Sequence, residues 1–102
     1  MASEPAPFVS VIVPVRNGER TVADCLTSLL ELDYPTDSRE ILVVDNGSTD
    51  RTAEIVQRLP VTYLLEERVG RSHARNRGIE ASSSELLAFI DADCVEIGRA
   101  HV

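Results

Sequence analysis

The sequence predicts an α/β domain built on a mostly parallel sheet, with strands and helices in strict alternation. Three observations carry that expectation. Four short runs rich in Val, Ile and Leu, at residues 8–15, 40–45, 61–65 and 86–90, read as strands. The stretches between them repeat apolar or small residues at helical spacing. The junctions are short and rich in Asn, Asp, Gly and Pro. A β-α-β-α-β-α-β order with short loops implies right-handed crossovers and a sheet covered on both faces, with strand order about 3-2-1-4.

Residues 1–7 form a loose, polar lead-in with two prolines. The first strand follows and should end near Pro14, which has no N–H for a ladder. Arg16-Asn17-Gly18-Glu19 is turn chemistry, with Asn17 a candidate cap and Glu19 in the first helical turn. Val22, Cys25, Leu26, Leu29 and Leu30 then share one helical face, in a helix expected to end near Leu32. The second strand, residues 40–45, is nearly continuous in apolar residues and ends in Asp45. Asn46-Gly47-Ser48-Thr49-Asp50 turns the chain into a second helix, with Ile55, Val56 and Leu59 facing inward and Pro60 just past its end. A third strand covers 61–65. Residues 70–82 predict a third helix whose small residues Ala74, Gly78 and Ala81 let it lie close to a sheet. Leu86-Leu87-Ala88-Phe89-Ile90 is expected to be a strand buried on both faces, and it runs straight into Asp91-Ala92-Asp93.

The 102 residues suffice for one domain, and 43% hydrophobic with 26% charged residues mark a globular chain. A net charge of −7, with all ten basic residues Arg, argues against nucleic-acid binding. Cys25 and Cys94 have no metal-ligand spacing; Cys25 reads as a small buried hydrophobe, and a reducing, cytoplasmic setting is expected. No apolar run reaches the roughly 18 residues of a membrane span.

In parallel α/β sheets ligands bind beyond the carboxyl ends of the strands. Residues 14–17, 45–48, 66–70 and 91–93 all fall at that edge. Alternation sends Asp91 and Asp93 to the same side, and two neighbouring carboxylates are best tolerated where a cation sits. Asp45 has two readings: a hydrogen-bond acceptor for a base or ribose, or a cap for its own turn through the amides of Gly47 and Ser48. Arg68, Arg71, Arg75 and Arg77 crowd the start of the third helix, where anions such as phosphates are held well. For any one of them, pairing with Glu66 or Glu67 on a solvated face is the plainer reading. His73 reads as an exposed helix residue. There is no GxGxxG after the first strand and no P-loop.

With these residues in view, the chain resembles the N-terminal, nucleotide-binding half of a family 2 glycosyltransferase of the Rossmann-like GT-A fold. The resemblance is carried by Val9-Ser10-Val11-Ile12-Val13-Pro14-Val15-Arg16-Asn17, by Ile41-Leu42-Val43-Val44-Asp45-Asn46-Gly47-Ser48-Thr49-Asp50, by Gly70-Arg71-Ser72-His73-Ala74-Arg75-Asn76-Arg77-Gly78-Ile79 and by Phe89-Ile90-Asp91-Ala92-Asp93. It implies an inverting transferase that uses a nucleotide-diphosphate sugar and Mn²⁺ or Mg²⁺. Pro14, Val15 and Asn17 would line the nucleotide pocket, Asp45 would bond the base, and Arg75 would sit near the diphosphate. Asp91 would face the ribose or sugar, and Asp93, with Asp91, would hold the metal. Asn46 stands where many members have a second Asp.

The resemblance also puts the catalytic base and most of the acceptor site downstream of Asp93, so this chain by itself is expected to be inactive. The acceptor, whether saccharide, lipid or protein, is left open, as is membrane association of a longer parent at its cytoplasmic face. Residues 8–95 are expected to be the partial transferase domain. Residues 96–102 have no helix or strand pattern, and their back-translation matches the start of a common sequencing adapter; they are expected to be a non-native tail. Two other functions compete: a nucleotidyltransferase that makes sugar nucleotides, and a non-catalytic nucleotide-binding module. Against the first, Arg16-Asn17-Gly18 is too short for the Gly-rich phosphate loop such enzymes carry.

Overall fold

A computed structural model describes residues 7–92 of the chain. Four strands, β1 (Val9–Val15), β2 (Arg39–Asp45), β3 (Thr62–Leu65) and β4 (Leu86–Phe89), form one all-parallel sheet in the order β3-β2-β1-β4. Helices α1 (Val22–Leu30), α2 (Thr52–Gln57) and α3 (Arg71–Ala81) make the crossovers, with a short 3-10 turn at Thr36–Ser38. Among the described residues no helix is long and apolar enough to cross a membrane.

Alternation along the two central strands divides the core into two layers. Val13, Val15, Ile41 and Val43 point to the α1/α2 side, where Val22, Cys25, Leu26, Leu29 and Val56 meet them. Ile12, Leu42 and Val44 point the other way, onto Ala74 of α3. Burying each of these Val, Leu or Ile side chains contributes about 1.5–3 kcal/mol. Gly78 of α3 faces Ile12 so closely that a Cβ there would stand 2.5 Å from its Cγ2. Small residues on α3 do bring it against the sheet, as their spacing predicts.

Two features differ from expectation, each for a physical reason. Leu32 is not helical and is 57% exposed, because Arg39 ends α1 early by donating to the carbonyls of Leu29 and Leu30 at 2.8 and 3.0 Å. The strand buried on both faces is β2, not β4. As the edge strand, β4 leaves Leu86 50% exposed and its other residues partly so. As expected, β1 ends next to Pro14, at Val15. In a parallel ladder both backbone groups of a residue face the same neighbour, and the Ile12 carbonyl accepts the Ile90 N–H at 3.0 Å. Pro14, two residues on, therefore also faces β4. Its missing N–H ends the β1/β4 ladder at the Ile12–Phe89 pair, while β1 stays paired with β2 up to Val15–Asp45.

Candidate functional site

The strand order places the switch point of the sheet between β1 and β4, since the chain leaves β1 toward β2 and returns from β3 to the opposite side. Pro14 parts the two strands at that point. A cleft of about 480 Å³ opens there, lined by Pro14, Val15, Arg16, Asn46, the first turns of α3, and residues 89–92. Its size lies within the range of small-molecule sites.

Charge in the cleft is uneven. Arg16, Arg71 and Arg75 line it against one acid among the described lining residues, Asp91. The first turns of α1 and α2 carry acids, Asp24 and Glu54, as the helix dipole favours; α3 has none and instead starts with Arg71. Arg75 lies over the Phe89 ring, 4.1 Å from its centroid, so its guanidinium is held between ring and opening. Such a set favours an anion with several oxygen atoms.

Of the residues named from the sequence, Pro14, Val15, Arg75 and Asp91 come together in this cleft, and Arg71 joins them. Asp93 lies outside the described residues. Asn17 and Asp45 do not line the cleft; they hold the loops behind it. Asn17 sits at φ 53°, and its Oδ1 accepts from the amide and hydroxyl of Thr49 at 2.8 and 3.3 Å. Its own amide donates to Ser48 Oγ at 2.8 Å. The same reciprocity continues along the loop. The Gly18 amide meets Thr52 Oγ1, the Glu19 amide meets Asp50, and Glu19 accepts from the Arg51 amide. Asn17 is therefore not the cap of α1 but one side of a clamp between the two loops.

Asp45 is 1% exposed. Its Oδ1 accepts from the Ser48 amide at 2.9 Å, the turn-capping arrangement, and its Oδ2 accepts from the Tyr63 hydroxyl at 2.7 Å. Burial first, and then the bond to Asp45, push the Tyr63 phenol up to about 12. Each carboxylate oxygen keeps a second lone pair.

Asn46 is the lining residue whose part the sequence did not disclose. It is 6% exposed and its side chain makes three bonds to backbone more than 19 residues away. Arg16 and Phe89 were also missed as lining residues. The expected acid–arginine pairing is found at Glu66 and Arg68, with contacts of 3.0 and 3.1 Å. That guanidinium, and the Arg68 amide beside it, hold the Glu66 carboxyl down to about 2. His73 does not line the cleft.

Among the described residues no group of three or more His, Cys, Asp and Glu side chains gathers as a metal site. Asp91 offers hard oxygen donors, which suit a cation that takes its other ligands from phosphate oxygens and water.

Residues 10–96 match the sequence profile of "Glycosyl transferase family 2". The chain belongs to that family. Among curated relatives it is 45% identical over 94 residues to "Glycosyltransferase AglE" of Haloferax volcanii, a match covering 86% of this chain and 31% of the relative. Solved GT-A structures superpose on it as well. S. aureus TarS 1-349 in complex with UDP-GlcNAc gives a TM-score of 0.76 at 30% identity, covering 91% of this chain and 30% of that one. The mannosyltransferase PcManGT of Pyrobaculum calidifontis, in complex with GDP-Man and Mn²⁺, gives 0.78 at 33% identity, covering 91% and 31%. The family 2 chain described here thus spans less than a third of the length of these relatives.

Proposed function

We propose that the cleft binds the nucleotide-diphosphate part of a sugar donor, for transfer of the sugar with inversion to an acceptor hydroxyl of a saccharide, lipid or protein. One observation carries the reading: Arg16, Arg71, Arg75 and Asp91 converge on a cleft at the sheet's switch point. Pro14 and Val15 supply the wall of the nucleotide pocket. Arg71 and Arg75 meet the diphosphate charge, and Asp91 faces the ribose or sugar. Asp91, together with Asp93, would hold Mn²⁺ or Mg²⁺, which would supply neutralisation of the charge on the departing diphosphate. In the transfer the acceptor oxygen bonds to the anomeric carbon as the bond to the diphosphate breaks, and the acceptor proton passes to a base that the family resemblance places downstream of Asp93. Neither Asp45 nor Glu66 serves as that base, since both are buried and neither lines the cleft. The nucleotide complexes of TarS and PcManGT support the donor class.

Calorimetric titration with UDP, GDP, ADP, CDP and dTDP, each with Mn²⁺ and with EDTA, tests this. At least one diphosphate is expected to bind with metal-dependent affinity. Arg75→Ala should weaken it roughly 10- to 100-fold, the range for a lost charge-assisted hydrogen bond. A folded chain that binds only a nucleoside triphosphate with a sugar phosphate would move the reading to a nucleotidyltransferase.

A further inference from the structure

We propose that Phe89 is a positioning residue: its ring holds the Arg75 guanidinium at the cleft, so that Arg75 meets the donor's diphosphate already oriented. The proposal rests on the nucleotide-diphosphate reading above.

The ring is itself well fixed. Phe89 is the last residue of β4, and the β1/β4 ladder ends at its pairing with Ile12. One residue on, the Ile90 amide donates to the Ile12 carbonyl at 3.0 Å, so the backbone is held on either side of Phe89. The side chain packs against the core layer of Ile12, Leu42, Val44 and Ala74. Ala74 precedes Arg75 in sequence and is 1% exposed, so ring and helix share one close-packed layer.

Arg75 itself is exposed, and an arginine with nothing to hold it samples many rotamers. Among the described residues no carboxylate pairs with it: the ion pairs join Arg51 and Arg58 to Glu54, and Arg68 to Glu66. Its partner is the ring, with the guanidinium carbon 4.1 Å from the Phe89 centroid.

The difference between a ring and a carboxylate as partner decides what Arg75 can do. A carboxylate would accept from the guanidinium N–H groups and offset its charge. A ring attracts the cation through its face and leaves the charge in place, and 4.1 Å suits stacking of the two planes. The N–H groups then lie around the rim of the stack, available to oxygen atoms in the cleft that both residues line. Arg75 is fixed and keeps its donors. A diphosphate that binds there has one less side chain to immobilise.

The test titrates the full chain and its variants with UDP and uridine, or GDP and guanosine, in Mn²⁺. Phe89→Leu keeps an apolar side chain against the core and removes the ring. It should weaken the diphosphate about threefold to tenfold, the effect of ordering one rotamer-rich side chain on binding. The nucleoside, which has no phosphate for Arg75, should bind within about twofold of wild type. Phe89→Tyr keeps the ring and should bind both ligands as wild type does. In an Arg75→Gln chain, which has no guanidinium to hold, Phe89→Leu should cause no further loss. Should Phe89→Leu fail to fold, Phe89→Met, an adaptable apolar side chain, takes its place in the same comparisons. Equal weakening of diphosphate and nucleoside, a Phe89→Tyr chain as weak as Phe89→Leu, or the same loss with and without Arg75 would each overturn the proposal, as would unchanged binding of both ligands. A folded wild-type chain that binds neither UDP nor GDP would overturn the donor reading, and this proposal with it.

Discussion

Gly78→Ala is a sharp test of how α3 sits on the sheet, because two effects of known size oppose each other there. In the middle of an exposed helix, Gly→Ala gains about 1 kcal/mol from helix propensity. At position 78 the new methyl would stand 2.5 Å from Cγ2 and 3.2 Å from Cγ1 of Ile12, against an ordinary carbon contact of about 3.5–4.0 Å. Ile12 cannot swing away: it is 0% exposed and sits on a central strand. Overpacking of this kind costs about 1–3 kcal/mol. The cost should exceed the gain, leaving a net loss of about 1 kcal/mol and a fall in Tm of about 4–8 °C for a domain of this size. Asn76→Ala, at an exposed position of the same helix, should instead stabilise by about 0.5 kcal/mol or less. Circular dichroism melts and urea transitions of the two variants beside wild type give both numbers. If Gly78→Ala melts at or above wild type, α3 does not pack where the structure puts it.

Two further expectations concern the polar groups behind the cleft. Tyr63→Phe removes the donor on Oδ2 of the buried Asp45 and should cost about 1–3 kcal/mol in urea denaturation, the range for an acceptor left unsatisfied; an unchanged midpoint would mean the bond contributes nothing. Glu66 is held near 2 by Arg68, below its ordinary value of 4.5, so its contribution to stability is complete above that ordinary value and fades as the pH falls toward 2. The stability difference between wild type and Glu66→Gln should therefore be constant above about pH 5 and shrink below it; a difference independent of pH down to 2 would contradict the pairing.

Much of the fold was legible because it depends on local pattern. Alternating apolar runs and helical faces gave the element order, and turn residues gave the junctions. The small stripe on α3 foretold its close approach to Ile12. What escaped was set by neighbours distant in sequence. The apolar runs of β2 and β4 look alike, yet one is central and the other is an edge, and only strand order distinguishes them. The end of α1 depends on Arg39, which reaches back nine or ten residues to its last carbonyls.

The site shows the same division. Pro14, Val15 and Asp91 lie at strand ends and Arg75 near the start of α3, and the family resemblance assigned all four to the donor site. Asn17 and Asp45 lay at the same edge, but polar side chains also bind one another. Asn17 spends its groups on Ser48 and Thr49, which are 31 and 32 residues away, and Asp45 spends its own on Ser48 and Tyr63. Asn46 looked like an ordinary turn residue because its three partners, at 66, 68 and 70, meet it only in the folded chain.

The central claim is that a nucleotide diphosphate binds between β1, β4 and the start of α3. Amide chemical-shift mapping of the labelled chain during titration with UDP and GDP, using Mg²⁺ to avoid paramagnetic broadening, tests it most directly. The account predicts shifts concentrated at Val15, Arg16, Asn46, Gly70, Arg71, Arg75 and Phe89 through Ala92, with Arg39, Glu40 and Ser83 at the opposite edge of the sheet unmoved. Shifts centred on those latter residues, or no saturable shifts from a folded chain with either nucleotide, would contradict it.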